Sequence, residues 1–199
     1  MKKKAAVIGY GGMGGWHVDH ILKSDVVTLA GIYDIKEEKR ALAESRGIRA
    51  YSSREELLAD PEIELVTVAT PNDVHEEIVV ASLEAGKNTI SEKPVTLSLE
   101  SLERMIAASK KAGRIFSVHQ NRRFDVDYLA MKKIHDSGEI GEIIDLESRI
   151  HGSRGIPPTG EVRRSTAAAC STTGASTSST RHSWSSGSTS SPSAAPATT

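Results

Sequence analysis

The strongest constraint in this chain is an alternation. Between Lys4 and His119, short runs of almost unbroken apolar residues take turns with longer stretches of helical period. Lys4 to Ile8 reads as a buried strand that stops at glycine, and Met13 to Lys23 as the helix behind it. Val26 to Tyr33 is a second strand ending at Asp34, and Lys36 to Ser45 a helix with Gly47 as its stop. A brief strand over Arg49 to Ser52 precedes a short helix opened by Ser53, with Glu56 at the capping-box spacing. Ile63 to Thr70 is the fourth strand, followed by a helix from Asp73 to Glu84 that Gly86 closes. Asn88 to Ser91 is strand-like, Leu99 to Ala112 is helical with Gly113 as its cap, and Ile115 to His119 is the sixth strand. Strands this apolar have no face to give to water, so helices must cover both sides. The class expected is α/β, a doubly wound parallel sheet. Such sheets take ligands at the carboxyl ends of their strands, where polar clusters carry the chemistry.

The first strand ends in Gly9-Tyr10-Gly11-Gly12-Met13-Gly14, a G-x-G-x-x-G. A glycine cluster alone marks only a turn. Here a strand precedes it, a helix follows, and Asp34 closes the second strand 20 residues after Gly14. That is the full context of a dinucleotide site of the Rossmann type. Glycines permit the tight turn and let backbone N–H groups and the helix N-terminus approach a pyrophosphate. Asp34 is placed to accept from the adenosine ribose hydroxyls, which favours NAD over NADP, although Lys36 nearby softens the preference and leaves NADP possible. As a bare residue, Asp34 also fits a solvated turn. No Gly-Lys-Ser/Thr follows the glycines, which excludes a P-loop.

Three further strand ends are polar: Thr70-Pro71-Asn72-Asp73-Val74-His75, Ser91-Glu92-Lys93-Pro94 and His119-Gln120-Asn121-Arg122-Arg123-Phe124. Taken singly, each has an ordinary reading. Asn72 or Asp73 can cap a helix, His75 can be a first-turn residue, Lys93 a loop charge and the arginines a solvated face. Composition narrows the partners. With 25 basic and 26 acidic residues there is no electrostatic reason to expect nucleic acid or an acidic membrane. The single cysteine, Cys170, excludes a disulfide framework or Cys-rich zinc module and suits a reducing cytosol. Met1-Lys2-Lys3-Lys4 begins like a signal peptide, but the apolar run stops at Gly9 and meets His17, Asp19 and His20, so a cytoplasmic protein is expected. No stretch approaches the ~20 apolar residues of a membrane span.

In this order and spacing the polar strand ends resemble the Gfo/Idh/MocA family of NAD(P)-dependent oxidoreductases, which act mainly on sugars, inositols and related polyols. The resemblance spans residues 4 to about 156, and Glu92-Lys93-Pro94 is its most specific element. It implies that Gly9, Tyr10, Gly11, Gly12, Met13, Gly14 and Asp34 bind the cofactor, and that Thr70, Pro71, Asn72 and His75 line its ribose and nicotinamide side. It places Glu92 and Lys93 beside the nicotinamide, with Lys93 the catalytic residue reaching the reacting hydroxyl, and Gln120 and Asn121 closing the pocket. No metal is implied. Residues 1–121 would be the dinucleotide-binding domain, and residues 122–158 the beginning of a substrate and oligomerisation domain. In that second part Phe124 to Ser137 would be the entering helix and Glu142 to His151 the first strand. A full-length relative would be a homo-oligomer acting on a small-molecule sugar or polyol.

Residues 159–199 break the pattern. They hold 12 Ser, 9 Thr and 7 Ala among 41 residues, and no Leu, Ile, Met, Phe or Tyr. So little apolar surface does not offset the entropy of ordering the segment, and a disordered tail is expected. The family's Asp-x-Gly-x-His segment, which supplies the remaining acid–base groups, is absent. Two explanations stand, a natural Ser/Thr/Ala-rich linker and a displaced reading frame, and the second is favoured by what the codons can hide. Codons compatible with Arg163 to Cys170, read one base earlier, spell Lys-Lys-Glu-Tyr-Gly-Gly-Gly-Met. Those of Ser171 to Arg181 then allow Leu-Tyr-Asp-Trp-Gly-Val-His-Leu-Ile-Asp-Gln. Thr173 and Thr177 stand where the Asp and His would be, and the slip lies near Pro157-Pro158. The chain as written is then expected to bind cofactor without catalysis. A non-catalytic dinucleotide-binding or sensor module is the alternative, and an unrelated Rossmann reductase is disfavoured by Glu92-Lys93-Pro94.

Overall fold

The structure is a computed structural model that describes residues 2–148 and 180–181. It follows the expected rhythm: β1 (Lys3–Ile8), α1 (Gly12–Leu22), β2 (Val27–Tyr33), α2 (Glu37–Ser45), α3 (Arg54–Ala59) and β3 (Leu65–Val68). Then come α4 (His75–Glu84), β4 (Asn88–Ser91), α5 (Leu99–Ala112), β5 (Phe116–Val118) and α6 (Val126–Ser137). Five strands form one parallel sheet in the order β2-β1-β3-β4-β5. The chain runs one way from β1 to β2 and the other way through β3, β4 and β5, so the direction reverses between β1 and β3. A crevice opens at the carboxyl ends of such a pair.

The period-2 geometry of the central strand sorts its side chains between the two layers. Ala6 and Ile8 join a cluster with Leu57, Val79, Leu83 and Met105, which come from α3, α4 and α5. Val7 joins Val18 of α1, Ile32 and Ala43 of α2 on the opposite face. Ala5, Ala6 and Val7 are fully buried, as an almost purely apolar strand requires. Each fully buried Val, Leu, Ile or Met contributes about 1.5–3 kcal/mol relative to exposure. The cluster that α3, α4 and α5 share is therefore the main source of stability.

Local signals close the helices. Ser53 Oγ accepts the N–H of Glu56 at 3.0 Å, as its spacing predicts, while the Glu56 carboxylate reaches back to Ser52 N at 2.8 Å. Ser98 Oγ caps α5 by accepting from Ser101 N at 3.1 Å, and the helix ends at Gly113 in the left-handed conformation, φ 63°.

The structure departs from expectation at the edges. Arg49 to Ser52 is not a strand but a single parallel bridge, Ile32 to Ala50, flanked by Ile32 N to Arg49 O and Tyr51 N to Ile32 O bonds. Tyr51 turns into the core at that point and the chain leaves for α3 before a ladder forms. Counting the bridge as an outer strand gives the doubly wound order 3-2-1-4-5-6. The Ile63–Thr70 and Ile115–His119 runs form regular strand only over Leu65–Val68 and Phe116–Val118, with single backbone bonds continuing at Glu64, Ala69, Ile115 and His119. The helix expected from Phe124 begins at Val126, after a 3-10 turn over Asn121–Phe124. Of the strand expected over 142–151, Glu147–Ser148 forms β6, antiparallel to β7 (Thr180–Arg181), and residues 149–151 lie outside the described residues. So does the rest of the 159–199 segment expected to be disordered.

Candidate active site

The turn after β1 is closed on one side and open on the other. Gly9 has φ +93°, and a Cβ there would lie 2.6 Å from the Ala69 carbonyl oxygen, so the approach to the end of β3 admits only glycine. A Cβ on Gly14 would fall 1.8 Å from the Gly9 oxygen, which packs α1 hard against the turn. Gly11 and Gly12, by contrast, meet nothing within 4 Å. Gly11 is the N-cap of α1, which has no capping side chain and no acidic residue in its first turn. Every other described α-helix carries at least one acidic residue there. The positive end of α1 is left for an external anion. Met13 is partly exposed beside it. Tyr10 is buried in the α1–α2 layer, where its hydroxyl accepts from Arg46, so its side chain supports the turn from beneath.

Asp34 stands at the end of β2 as expected, and both of its oxygens already bind backbone. Oδ2 accepts from Tyr10 N at 2.6 Å and Oδ1 from Lys36 N at 2.9 Å. A carboxylate has about four acceptor positions, so room remains for ribose hydroxyls. Arg40 is also close, donating to the Asp34 carbonyl at 2.7 Å.

At the end of β3, Thr70 Oγ1 is buried with no hydrogen-bond partner among the described residues. Its methyl group faces the Gly9 turn, 3.0 Å from the position a Cβ on that glycine would take. A buried hydroxyl without a partner costs about 1–3 kcal/mol, which a ligand group in the β1–β3 crevice would relieve. Pro71 and the half-buried Asn72 lead into a 3-10 turn over Asn72–Val74. His75 is not at a surface. It is fully buried, with Nε2 2.9 Å from the Thr70 carbonyl oxygen and Nδ1 3.2 Å from that of Pro94.

Glu92 follows β4 and is 5% exposed, while Lys93 is exposed with no partner for its ammonium among the described residues. Glu92 Oε1 accepts from His17 Nε2 at 2.7 Å and from His119 Nδ1 at 2.8 Å. Burial pushes the Glu92 carboxyl up, but the His17 hydrogen bond and the charge of both imidazoles outweigh it and hold the group below its ordinary range. Trp16 packs edge-on against His17, ring centroids 5.2 Å apart, and 5.6 Å from His119. Gln120 is exposed and Asn121 half-buried where the chain turns after β5.

The structure thus gathers Gly9 to Gly14, Asp34 and Thr70 around the β1–β3 crevice and sets Glu92 and Lys93 at the next strand end. Sequence reasoning gave no role to His17, or to His119 beyond its place in a polar strand end. The available signal was spacing: His17 lies three residues after Gly14 on α1, and both belong to its buried face. His17, Glu92 and His119 are also the one trio of metal-ligating type among the described residues. Their contacts are too short for tetrahedral zinc, whose ligands at ~2.0–2.1 Å keep roughly 3.3 Å between one another. They are hydrogen bonds.

Residues 3–120 match the family model described as "Oxidoreductase family, NAD-binding Rossmann fold". Inositol 2-dehydrogenase 2 of Saccharopolyspora erythraea is 36% identical over 162 residues, covering 79% of this chain and 48% of that protein. An NAD-binding protein from Listeria innocua superposes with a TM-score of 0.79 at 41% identity, over 83% of this chain and 49% of that one. GenD2 from gentamicin A biosynthesis, solved in complex with NAD, aligns with a TM-score of 0.65 at 29% identity, covering 69% of this chain and 40% of its own. The chain spans 48% or less of the length of the curated relatives it matches.

Proposed function

The chain belongs to the Gfo/Idh/MocA oxidoreductase family, and on that premise we propose that it binds NAD(H), and that its lineage is one of hydride transfer between that cofactor and a sugar, inositol or related polyol. The observation that carries this reading is the reversal of strand order between β1 and β3, with open glycines, an uncapped helix end and the orphaned Thr70 hydroxyl gathered at its carboxyl end. When bound there, the nicotinamide cofactor supplies the hydride acceptor or donor. The backbone N–H groups of Gly11, Gly12 and Met13 meet its phosphates, and Asp34 accepts from the adenosine ribose. The Asp34 carboxylate repels a 2′-phosphate and so favours NAD over NADP.

Lys93 does the electrostatic work. Its ammonium, uncommitted to any described side chain, would stabilise negative charge developing on a substrate oxygen whose proton passes to a separate base. It is not suited to be the sole base, and the Asp-x-Gly-x-His segment that would complete the acid–base chemistry is missing from the sequence. The chain therefore binds cofactor without turning substrate over. The second reading, which that absence also favours, is a dinucleotide-binding or sensor module whose role is binding itself and not the remnant of a dehydrogenase. No described helix is long and apolar enough to cross a membrane. Calorimetric titration with NADH and NADPH tests the proposal. NADH should bind more tightly, and equal or tighter NADPH binding sinks the cofactor assignment.

A further inference from the structure

The Lys93 ammonium has no partner among the described residues, yet its neighbours are held from several directions. The Glu92 carboxylate gathers three donors: His17 Nε2 from α1, His119 Nδ1 from the end of β5, and the backbone N–H of Lys93, which reaches Oε2 at 3.2 Å. The backbone is pinned at the same level, with Glu92 N donating to Val68 O at 2.9 Å and His119 N to Ser91 O at 2.8 Å. On the far side of Lys93, the Pro94 carbonyl faces buried His75. Charge-assisted bonds of this kind are stronger than neutral ones, and a carboxylate this buried is costly unless they are made.

We infer that His17 and His119 are positioning residues for Lys93: through the Glu92 carboxylate they fix the backbone from which its ammonium is presented to a substrate hydroxyl. The functional part rests on the reading that Lys93 meets substrate; the clamp itself does not. Because an ionised carboxylate only accepts, the arrangement dictates tautomers. When neutral, His17 carries its proton on Nε2 and His119 on Nδ1, and when charged each ring donates from that same nitrogen.

Two measurements on the full chain test the clamp, with NADH titrated in parallel. Imidazole 15N NMR of the unmodified protein should show the Nε2–H tautomer for His17 and the Nδ1–H tautomer for His119 where these rings are neutral. The opposite tautomer at either residue overturns the inference, without any variant having to fold. Amide hydrogen exchange then reads the protection of Lys93 N–H. His17→Gln keeps a donor where Nε2 was, and His119→Asn keeps one where Nδ1 was, so both should retain protection within about twofold. His17→Asn and His119→Gln misplace the donor and should lose protection by about tenfold, the effect of one lost hydrogen bond to a charged group. Equal protection in all four folded variants, or equal loss in all four, refutes positioning through these bonds. Failure of NADH to bind while tautomers and exchange behave as stated removes the proposed function and leaves the clamp. NADH binding with the wrong tautomers does the reverse.

Discussion

Helices α5 and α6 are built by similar local rules and have different fates. Each ends at a glycine in the left-handed conformation, Gly113 and Gly138, and each carries an acidic residue in its first turn. Each also places apolar side chains at helical spacing. In α5, Met105 and Ala108 are buried in the cluster that covers one face of the sheet. In α6, Tyr128, Leu129, Met131 and Ile134 run along the helix and none of its residues is buried. Caps and spacing suffice to form a helix, whereas burial against other elements is what stabilises it. The same contrast divides residues 3–118, which share two packed layers with the sheet, from residues 121–148.

If residues 3–118 bind cofactor and catalysis needs more, the largest effect concerns activity. The present chain should produce no NADH from a panel of sugars and inositols. A protein continued in the alternative frame from Pro158 should do so, and Lys93→Ala in that protein should lower kcat by ~10²–10³-fold. Turnover by the present chain, or indifference of the continued protein to Lys93→Ala, breaks the assignment.

Stability should divide along the same line. Leu83→Ala opens a cavity under α4 and should cost about 2–5 kcal/mol in urea unfolding. Ile134→Ala in α6 should change it by no more than about 0.5 kcal/mol. Comparable losses would mean that α6 is packed as firmly as α4. Smaller still is the specificity effect of Asp34→Ala, which should narrow the NADH over NADPH preference by about tenfold, one charged hydrogen bond in affinity. A preference left unchanged shows that the carboxylate serves only the Tyr10 and Lys36 N–H groups.

The smallest effect lies between elements. Arg104 on α5 holds the Glu76 carboxyl on α4 down from 4.5 to about 2, chiefly through its hydrogen bond. The folded state therefore binds fewer protons than the unfolded one between those values. Stability from this pair is complete above 4.5 and is lost as pH falls toward 2. Arg104→Gln should flatten that part of a melting temperature against pH curve, and an unchanged slope assigns the acid sensitivity elsewhere. Lys132 likewise holds the Asp136 carboxyl of α6 below its ordinary value, so that pair adds acid-sensitive stability of the same sign, and Arg104→Gln should leave its share of the slope in place.

The sequence by itself determined the parallel class, the succession of strands and helices, the Ser53 cap, the glycine turn and the placing of Asp34 after β2. These follow from periodicity, turn residues and neighbours a few positions apart, which act before any distant contact forms. Tertiary structure decided that Arg49 to Ser52 is a bridge, that His75 is buried, and that Asp34 spends an acceptor position of each oxygen on backbone. It also decided the site's most connected group. His17, Glu92 and His119 are far apart in the chain, and only the parallel register of β1, β3, β4 and β5, with α1 laid across it, brings them to one carboxylate oxygen. No local period encodes such a meeting, because it depends on which strand lies beside which.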